Sequence, residues 1–483
     1  MTRRDPILDH PILSLSETDT LLYRDCCEGV FISGSPGSGK SSCSGKQLAL
    51  GLLSIPKLGA LICTAKSEET RNWIEYARLC GRESDLIVFN VASGHLFDPL
   101  YYEWTRPGRG AGDLEAIIDL FSTLVSIGDK EGSGHSGDEF WRRGCEQLMR
   151  NVIKLLDLAE ERISIVSIDR VIKSLPTRPN EYEEEQWQRD SYCAQLIASI
   201  RARQETLSPE QWSDLDFATQ FIFRKWPAFD ERPRSSLEMT WAGMADKFLF
   251  NPLNRLFCSG VCTFLPEQTM TEGKLVICDF PLLEYGHQTG RLINVMLKLI
   301  FQRSWLRRNL TDSLNPVMLW QDEMQYFIVP RFDNFFQQTC RGSRVAVVAL
   351  TQNILNLSEA LGESRPDAKT KSFLGNLAIK IFHQQNDVES CTYAADQIGK
   401  EYRYLDNYSG GSSSENNHSS FNAGASRQLA YTVEPVELTR LVKPDSVNPL
   451  AQALVYASGK IFNATITEQN PRGLNYLSVF FSR

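Results

Sequence analysis

Residues Gly34-Ser35-Pro36-Gly37-Ser38-Gly39-Lys40-Ser41 have the form GxxxxGK[ST] and come directly after the apolar run Gly29-Val30-Phe31-Ile32. That order prescribes a strand, a tight glycine turn and a helix start. Such a turn brings several backbone N–H groups and the positive end of a helix to one place, where they form a cradle for phosphate. Lys40 is positioned to reach the β- and γ-phosphates and Ser41 to hold Mg2+. The segment is read as an ATP or GTP site. A Gly/Ser turn can match the glycines by chance, but the Lys-Ser ending is harder to match.

The chain has 483 residues, more than one compact core normally holds, so two or three domains are expected. Apolar residues make up 42% and charged residues 23%, as in ordinary globular proteins rather than disordered or fibrous ones. The net charge of −8 excludes a uniformly basic surface, but it does not reveal positive charge confined to a channel. The twelve cysteines show no framework spacing, and several lie in apolar segments such as Ile62-Cys63. They read as buried thiols in a reducing compartment. The pairs Cys26-Cys27 and Cys258/Cys262 lack a second ligand pair for a metal. No stretch reads as a signal peptide or reaches the roughly 18 apolar residues of a membrane span. The expected location is the cytoplasm, with recruitment to the inner membrane left to a partner.

Strand-like runs occur at 30–33, 59–64, 86–90, 274–280, 316–321, 345–351 and 379–383. Most are apolar throughout, as buried strands of parallel sheets are. Helical patterns such as 42–53, 68–79 and 289–308 separate them. The economical fold is α/β with a doubly wound, mainly parallel sheet that binds its ligand at the carboxyl ends of the strands. Between 111 and 251 strand-like runs largely vanish and amphipathic helices take over, marked by the stripe Trp141, Cys145, Leu148, Val152, Leu155 and Ala159. The expected division is therefore 1–110 for the first part of the nucleotide domain, 111–251 for an inserted all-α domain and 252–483 for the second part. Gly132 to Gly137, with an isolated His135, reads as a flexible loop, and the Ser/Gly/Asn-rich stretch within 406–428 as a mobile one. The acidic run Glu181 to Glu185 reads as solvated surface.

A phosphate loop needs an acidic partner at the end of another buried strand, and Val317-Met318-Leu319-Trp320-Gln321-Asp322-Glu323 supplies it. Asp322 suits the Walker-B role of orienting Mg2+, and Glu323 can accept a proton from the attacking water. The next strand, Val345 to Thr351, ends in Gln352, which can sense the γ-phosphate or the lytic water or merely cap a helix. Arg341 and Arg344 precede that strand. Either can project to a neighbouring subunit as an arginine finger or form an ordinary salt bridge. Arg303, Arg307 and Arg308 make one predicted helix basic, as a pore segment or a solvated face.

GSPGSGKS at 34–41, TAKSEE at 64–69, FDPL at 97–100, FW at 140–141, WQDE at 320–323, ALTQN at 349–353 and TVEPVEL at 432–438 occur in the order seen in TraG/TraD-type conjugative coupling ATPases. The chain resembles this type IV secretion coupling family of the FtsK/HerA P-loop superfamily. The resemblance implies a RecA-like domain with a helical insertion, a hexameric ring, and DNA translocation through its pore driven by ATP with Mg2+. It implies phosphate and metal roles for Lys40, Ser41 and Asp322, hydrolysis by Glu323, an arginine finger at Arg341 and a sensing role for Gln352. Secretion-channel or relaxosome proteins are the implied partners. Two departures stand out. The sequence opens close to the nucleotide domain, without the family's usual N-terminal membrane helices, so anchoring is expected to be absent or supplied by a partner, and the usual Asp-Pro-Lys-Gly-Glu-like turn reads Thr64-Ala65-Lys66-Ser67-Glu68. The alternatives are a soluble HerA/FtsK-like pump serving repair, segregation or defence, and an ATP-switched platform that recruits protein substrates.

Overall fold

All seven apolar runs read as strands form strands in a computed structural model of the chain, which describes residues 5–128, 138–310, 315–364, 366–413 and 418–483. The strands are β1 Pro11–Ser14, β2 Thr20–Leu22, β3 Val30–Ser33, β4 Gly59–Cys63, β5 Leu86–Phe89, β6 Leu275–Cys278, β7 Val317–Gln321, β8 Val345–Thr351, β9 Ile379–Phe382, β10 Lys400–Ser413, β11 His418–Tyr431, β12 Leu450–Ala457 and β13 Tyr476–Ser482. The chain packs as two compact units, one of Met1–Ala60, Arg71–Asp85 and Leu314–Arg483, the other of Leu61–Thr70 and Leu86–Ser313.

In the first unit the strand order is β13-β12-β9-β3-β8-β7. β3 runs parallel to β8 and to β9, and β7 runs parallel to β8, so four strand ends open on the same side. β3, β7, β8 and β9 are buried at every position, which is why their sequences show no alternation. β12 lies antiparallel to β9 and to β13, and closes the sheet with a half-solvated edge. The alternating burial of Ser478 to Ser482 is the period-two pattern of such an edge strand. In the second unit β6 lies between β4 and β5, with β5 and β6 parallel.

Between β5 and β6 the described residues form helices and no strand, apart from one isolated bridge between Phe97 and Cys262. The helix Asp138–Leu158 buries Cys145, Leu148, Val152 and Leu155, the stripe expected from sequence; Ala159 falls just past its end. The glycine-rich segment with His135, and the side chain of Trp141, lie outside the described residues. Of the three arginines read as a pore segment or a solvated face, Arg303, on the helix His287–Arg307, is taken up by packing. Arg303 is buried, donates to the carbonyl of Ala116 at 3.0 Å and pairs with Asp119, while Arg307 stands 3.5 Å from Glu103. Burial pushes the Arg303 guanidinium below its ordinary value, partly offset by Asp119. Within the acidic run, Glu181 accepts the N–H groups of Thr177 and Arg178 as a local turn cap.

Residues 406–428, expected as a loop, lie over their described part in a two-stranded ribbon. β10 and β11 pair antiparallel in one continuous register from Lys400–Tyr431 to Ser413–His418. The ladder uses backbone groups alone, so a Ser/Gly/Asn-rich sequence can form it while giving no apolar signal. At its base Arg427 stacks over Tyr402 and Lys400 over Tyr431. All twelve cysteines are free thiols, and no group of three or more potential metal ligands occurs among the described residues. No described helix is long and apolar enough to cross a membrane.

The helix Ala368–Gly375 carries an acid-sensitive cap. Glu363 accepts the N–H groups of Asp367, Lys369 and Thr370 and the hydroxyl of Thr370. Burial pushes this carboxyl up, but the Lys369 and Thr370 donors outweigh it and bring it down to about 2. Because the folded-state value is depressed, the stabilisation is present above the ordinary carboxylate range and is lost as pH falls towards 2. Glu363→Gln should therefore speed amide exchange in residues 368–375 at neutral pH, and should leave less to lose on acidification than the parent protein.

Candidate nucleotide site

The turn after β3 is built from below by β9. A Cβ at Gly34 would lie 2.3 Å from Ser38 Oγ and 2.7 Å from His383 Cβ, and one at Gly39 would lie 2.6 Å from Ala451 Cβ. Gly37 and Gly39 both adopt left-handed backbone, φ +74° and +91°, and a side chain at Gly37 would meet nothing within 4 Å. The loop is thus packed on its sheet side and open at Gly37. Helix starts immediately, as a wide π-type turn over Lys40–Gly45, and becomes regular over Lys46–Leu53 rather than from Ser42. Gly45 permits the wide turn, because a Cβ there would lie 2.6 Å from the carbonyl oxygen of Lys40.

Five of the residues singled out by sequence meet at the ends of β3, β7 and β8. Ser41 Oγ donates to Asp322 Oδ2 at 3.1 Å, and Lys40 Nζ lies 3.9 Å from Glu323 Oε1. Gln352 Nε2 donates to Glu323 Oε1 at 2.9 Å. Lys40, Asp322 and Glu323 are all buried, so their mutual attraction is only weakly screened. Glu323 is itself in left-handed backbone, φ +54° and ψ +53°, a conformation that costs a non-glycine residue about 1 kcal/mol or more. Tyr76 is pushed up to about 12 by burial and by the negative charge of Asp322.

Arg341 is not brought to this cluster. Its guanidinium pairs with Glu28 at 3.0 Å, and its side chain is 73% exposed. Arg344 is tied to Asp5 at 3.0 Å, in a turn where its own φ is +51°.

Five polar residues to which the sequence reading gave no role complete the site. Gln325 Nε2 donates to Glu323 Oε2 at 2.9 Å, and the Thr351 hydroxyl donates to Gln325 Oε1 at 2.9 Å. At the end of β9, the Gln384 carbonyl accepts the Ser35 N–H at 2.8 Å, and Gln385 Nε2 donates to Ser33 Oγ at 3.0 Å. His383, also beyond the β9 end, lies 2.6 Å by Nε2 from Ser44 Oγ. Burial and the charge of Lys40 pull His383 down to about 3, so it is neutral at physiological pH and adds no second cation beside Lys40. The run His383-Gln384-Gln385 follows an apolar strand, the position where α/β sheets carry their functional groups. What sequence order conceals is that β9 lies next to β3.

The residues fit a magnesium nucleotide. Ser38 Oγ is buried without a hydrogen-bond partner among the described residues, inside a loop whose open glycine faces no protein atom. The Ser41 hydroxyl and Asp322 carboxylate are hard oxygen donors of the kind Mg2+ takes, and Lys40 is the cation a polyphosphate requires.

Residues 316–449 match the family model described as the TraM recognition site of TraD and TraG. Among solved structures, the bacterial conjugative coupling protein TrwBdeltaN70 in an unbound form is similar at 13% identity, covering 95% of this chain and 86% of that one, with a TM-score of 0.58. The plasmid coupling protein TrwB in complex with the ATP analogue ADPNP is similar at 12% identity, covering 100% and 91%, with a TM-score of 0.59. TrwB with ADP and Mg2+ aligns at 12% identity over 99% and 89%, again with a TM-score of 0.59. At these identities the likeness establishes the fold. No curated protein matches the chain.

Proposed function

From a chain of the TraG/TraD coupling-protein type, by its match over 316–449 and its fold, we propose an ATP-hydrolysing DNA translocase that works as a hexameric ring. The observation that carries the proposal is the meeting of Lys40, Ser41, Asp322, Glu323 and Gln352 at adjoining strand ends. TrwB has been solved with ADPNP and with ADP and Mg2+, and we extend that ligand class to this chain.

When bound, Mg·ATP supplies the phosphoanhydride to be split and a divalent charge on its oxygens. Ser41 and Asp322 hold the metal side. Lys40 offsets charge on the phosphates, and the backbone N–H groups of 34–41 add fixed dipoles. Glu323 accepts the proton of the attacking water, while Gln352 orients that water. A platform that only switched shape would have little use for a buried carboxylate held in a strained backbone beside the phosphate lysine. Arg341, exposed and outside its own subunit's cluster, is assigned to the neighbouring site as an arginine finger. The helices between 111 and 251 are read as the inserted domain.

The ring would hold DNA through its phosphates, because a motor has to pass any sequence, so binding should weaken as salt rises. The segment matched to the TraM recognition site includes Asp322, Glu323 and Gln352. A relaxosome protein recognised there would touch the elements that carry hydrolysis. On this reading the ring works in the cytoplasm and is recruited to the inner membrane by such a partner. Steady-state phosphate release tests the proposal: single- or double-stranded DNA should raise Mg·ATP turnover, with the stimulation shrinking at high salt. Turnover indifferent to DNA at every salt concentration would overturn it.

A further inference from the structure

We propose that Gln325 is a positioning residue for the general base, a role that rests on the hydrolytic reading of Glu323. Both oxygens of the Glu323 carboxylate are engaged by amide groups that approach from different elements. Gln352, at the end of β8, donates to Oε1 at 2.9 Å, and Gln325, in the short turn Met324–Tyr326, donates to Oε2 at 2.9 Å. The two are not equivalent. Gln325 is buried and pinned through its own oxygen, which accepts the Thr351 hydroxyl at 2.9 Å. An ionised carboxylate only accepts, so the end of the amide that faces Glu323 is the NH2, and the Gln325 oxygen is left to the Thr351 hydroxyl. Gln352 is half-buried and serves the ligand as well in the proposed reaction.

The chain Thr351 to Gln325 to Glu323 therefore links the base directly to the end of β8, independently of what Gln352 does. Glu323 needs this support, because its left-handed backbone is not one that a glutamate holds by itself. An ionised carboxylate has about four acceptor positions, and the two amides take one on each oxygen. When Gln352 turns to the γ-phosphate, Gln325 keeps the base aimed.

Gln325→Met retains length and volume while removing the amide. We expect kcat to fall about 10- to 100-fold, as for a base left loosely placed, with KM and nucleotide affinity within about twofold of the parent. Thr351→Val should shift kcat the same way by a smaller factor, and it serves as the second variant if Gln325→Met folds poorly. In a Glu323→Gln background, adding Gln325→Met should change single-turnover hydrolysis by less than about twofold, because the amide acts only through that carboxylate. An unchanged kcat in Gln325→Met and Thr351→Val, or an equal loss in the Glu323→Gln background, overturns the assignment while leaving the hydrolytic reading in place. Full turnover in Glu323→Gln alone would instead remove the hydrolytic reading, and this role with it.

Discussion

Lys40→Ala should lower Mg·ATP turnover by at least ~100-fold, the scale of removing a cation that stabilises transition-state charge. Lys40 is the cation paired with Glu323, at 3.9 Å, and its amine enters a loop whose sheet side is already filled by Ser38, His383 and Ala451. His383, which packs under that loop, cannot replace the charge, since burial holds it neutral. Nucleotide affinity should fall as well, because Lys40 contacts the ground-state phosphates and not only the transition state. The fold should survive. Glu323 loses its cation but keeps the amide hydrogens of Gln325 and Gln352, so the buried carboxylate is not left bare. Phosphate release and titration with a fluorescent ATP analogue check both parts.

Glu323→Gln should show the opposite division, with kcat down by roughly 100- to 10,000-fold, the contribution typical of a general base, and nucleotide binding nearly unchanged. The substitution is isosteric, yet it is not neutral locally. A carboxylate accepts from both amide donors, whereas a glutamine side chain has one oxygen and must turn its own NH2 towards the other. Gln352 must therefore flip its amide to accept that NH2, or give up the contact. Lys40, released from its anion, remains available to phosphate, which is why this variant should trap bound ATP. A parallel loss of binding and turnover would mean that Glu323 is a packing element rather than the base.

These two residues were legible in the sequence because each sits at a fixed distance from an apolar run. Lys40 ends a glycine pattern, and Glu323 follows five buried residues of β7. Gln352 was legible for the same reason, one strand later. Gln325 was not, because its value depends on the left-handed turn at Glu323, which returns its amide to the carboxylate two residues back. His383 and Gln384 were hidden by topology. They follow β9, far along the chain, and only the parallel pairing of β9 with β3 brings them beneath the phosphate loop. The edge strand β13 alternates in burial but not in sequence, since exposed Phe480 stands between buried Val479 and Phe481, and the paired ribbon of β10 and β11 gave no apolar signal because its ladder is made of backbone groups. Arg303 shows the converse error: a basic helix face looks solvated in sequence, and only the position of Asp119 and Ala116 shows it to be buried.

Movement along DNA is the central claim, and displacement of streptavidin from a biotinylated DNA end measures it. The wild-type protein should strip streptavidin only when Mg·ATP is hydrolysed. Glu323→Gln, although it binds both ATP and DNA, should not. Equal displacement by Glu323→Gln, or none by a wild-type protein whose turnover does respond to DNA, would contradict a translocase.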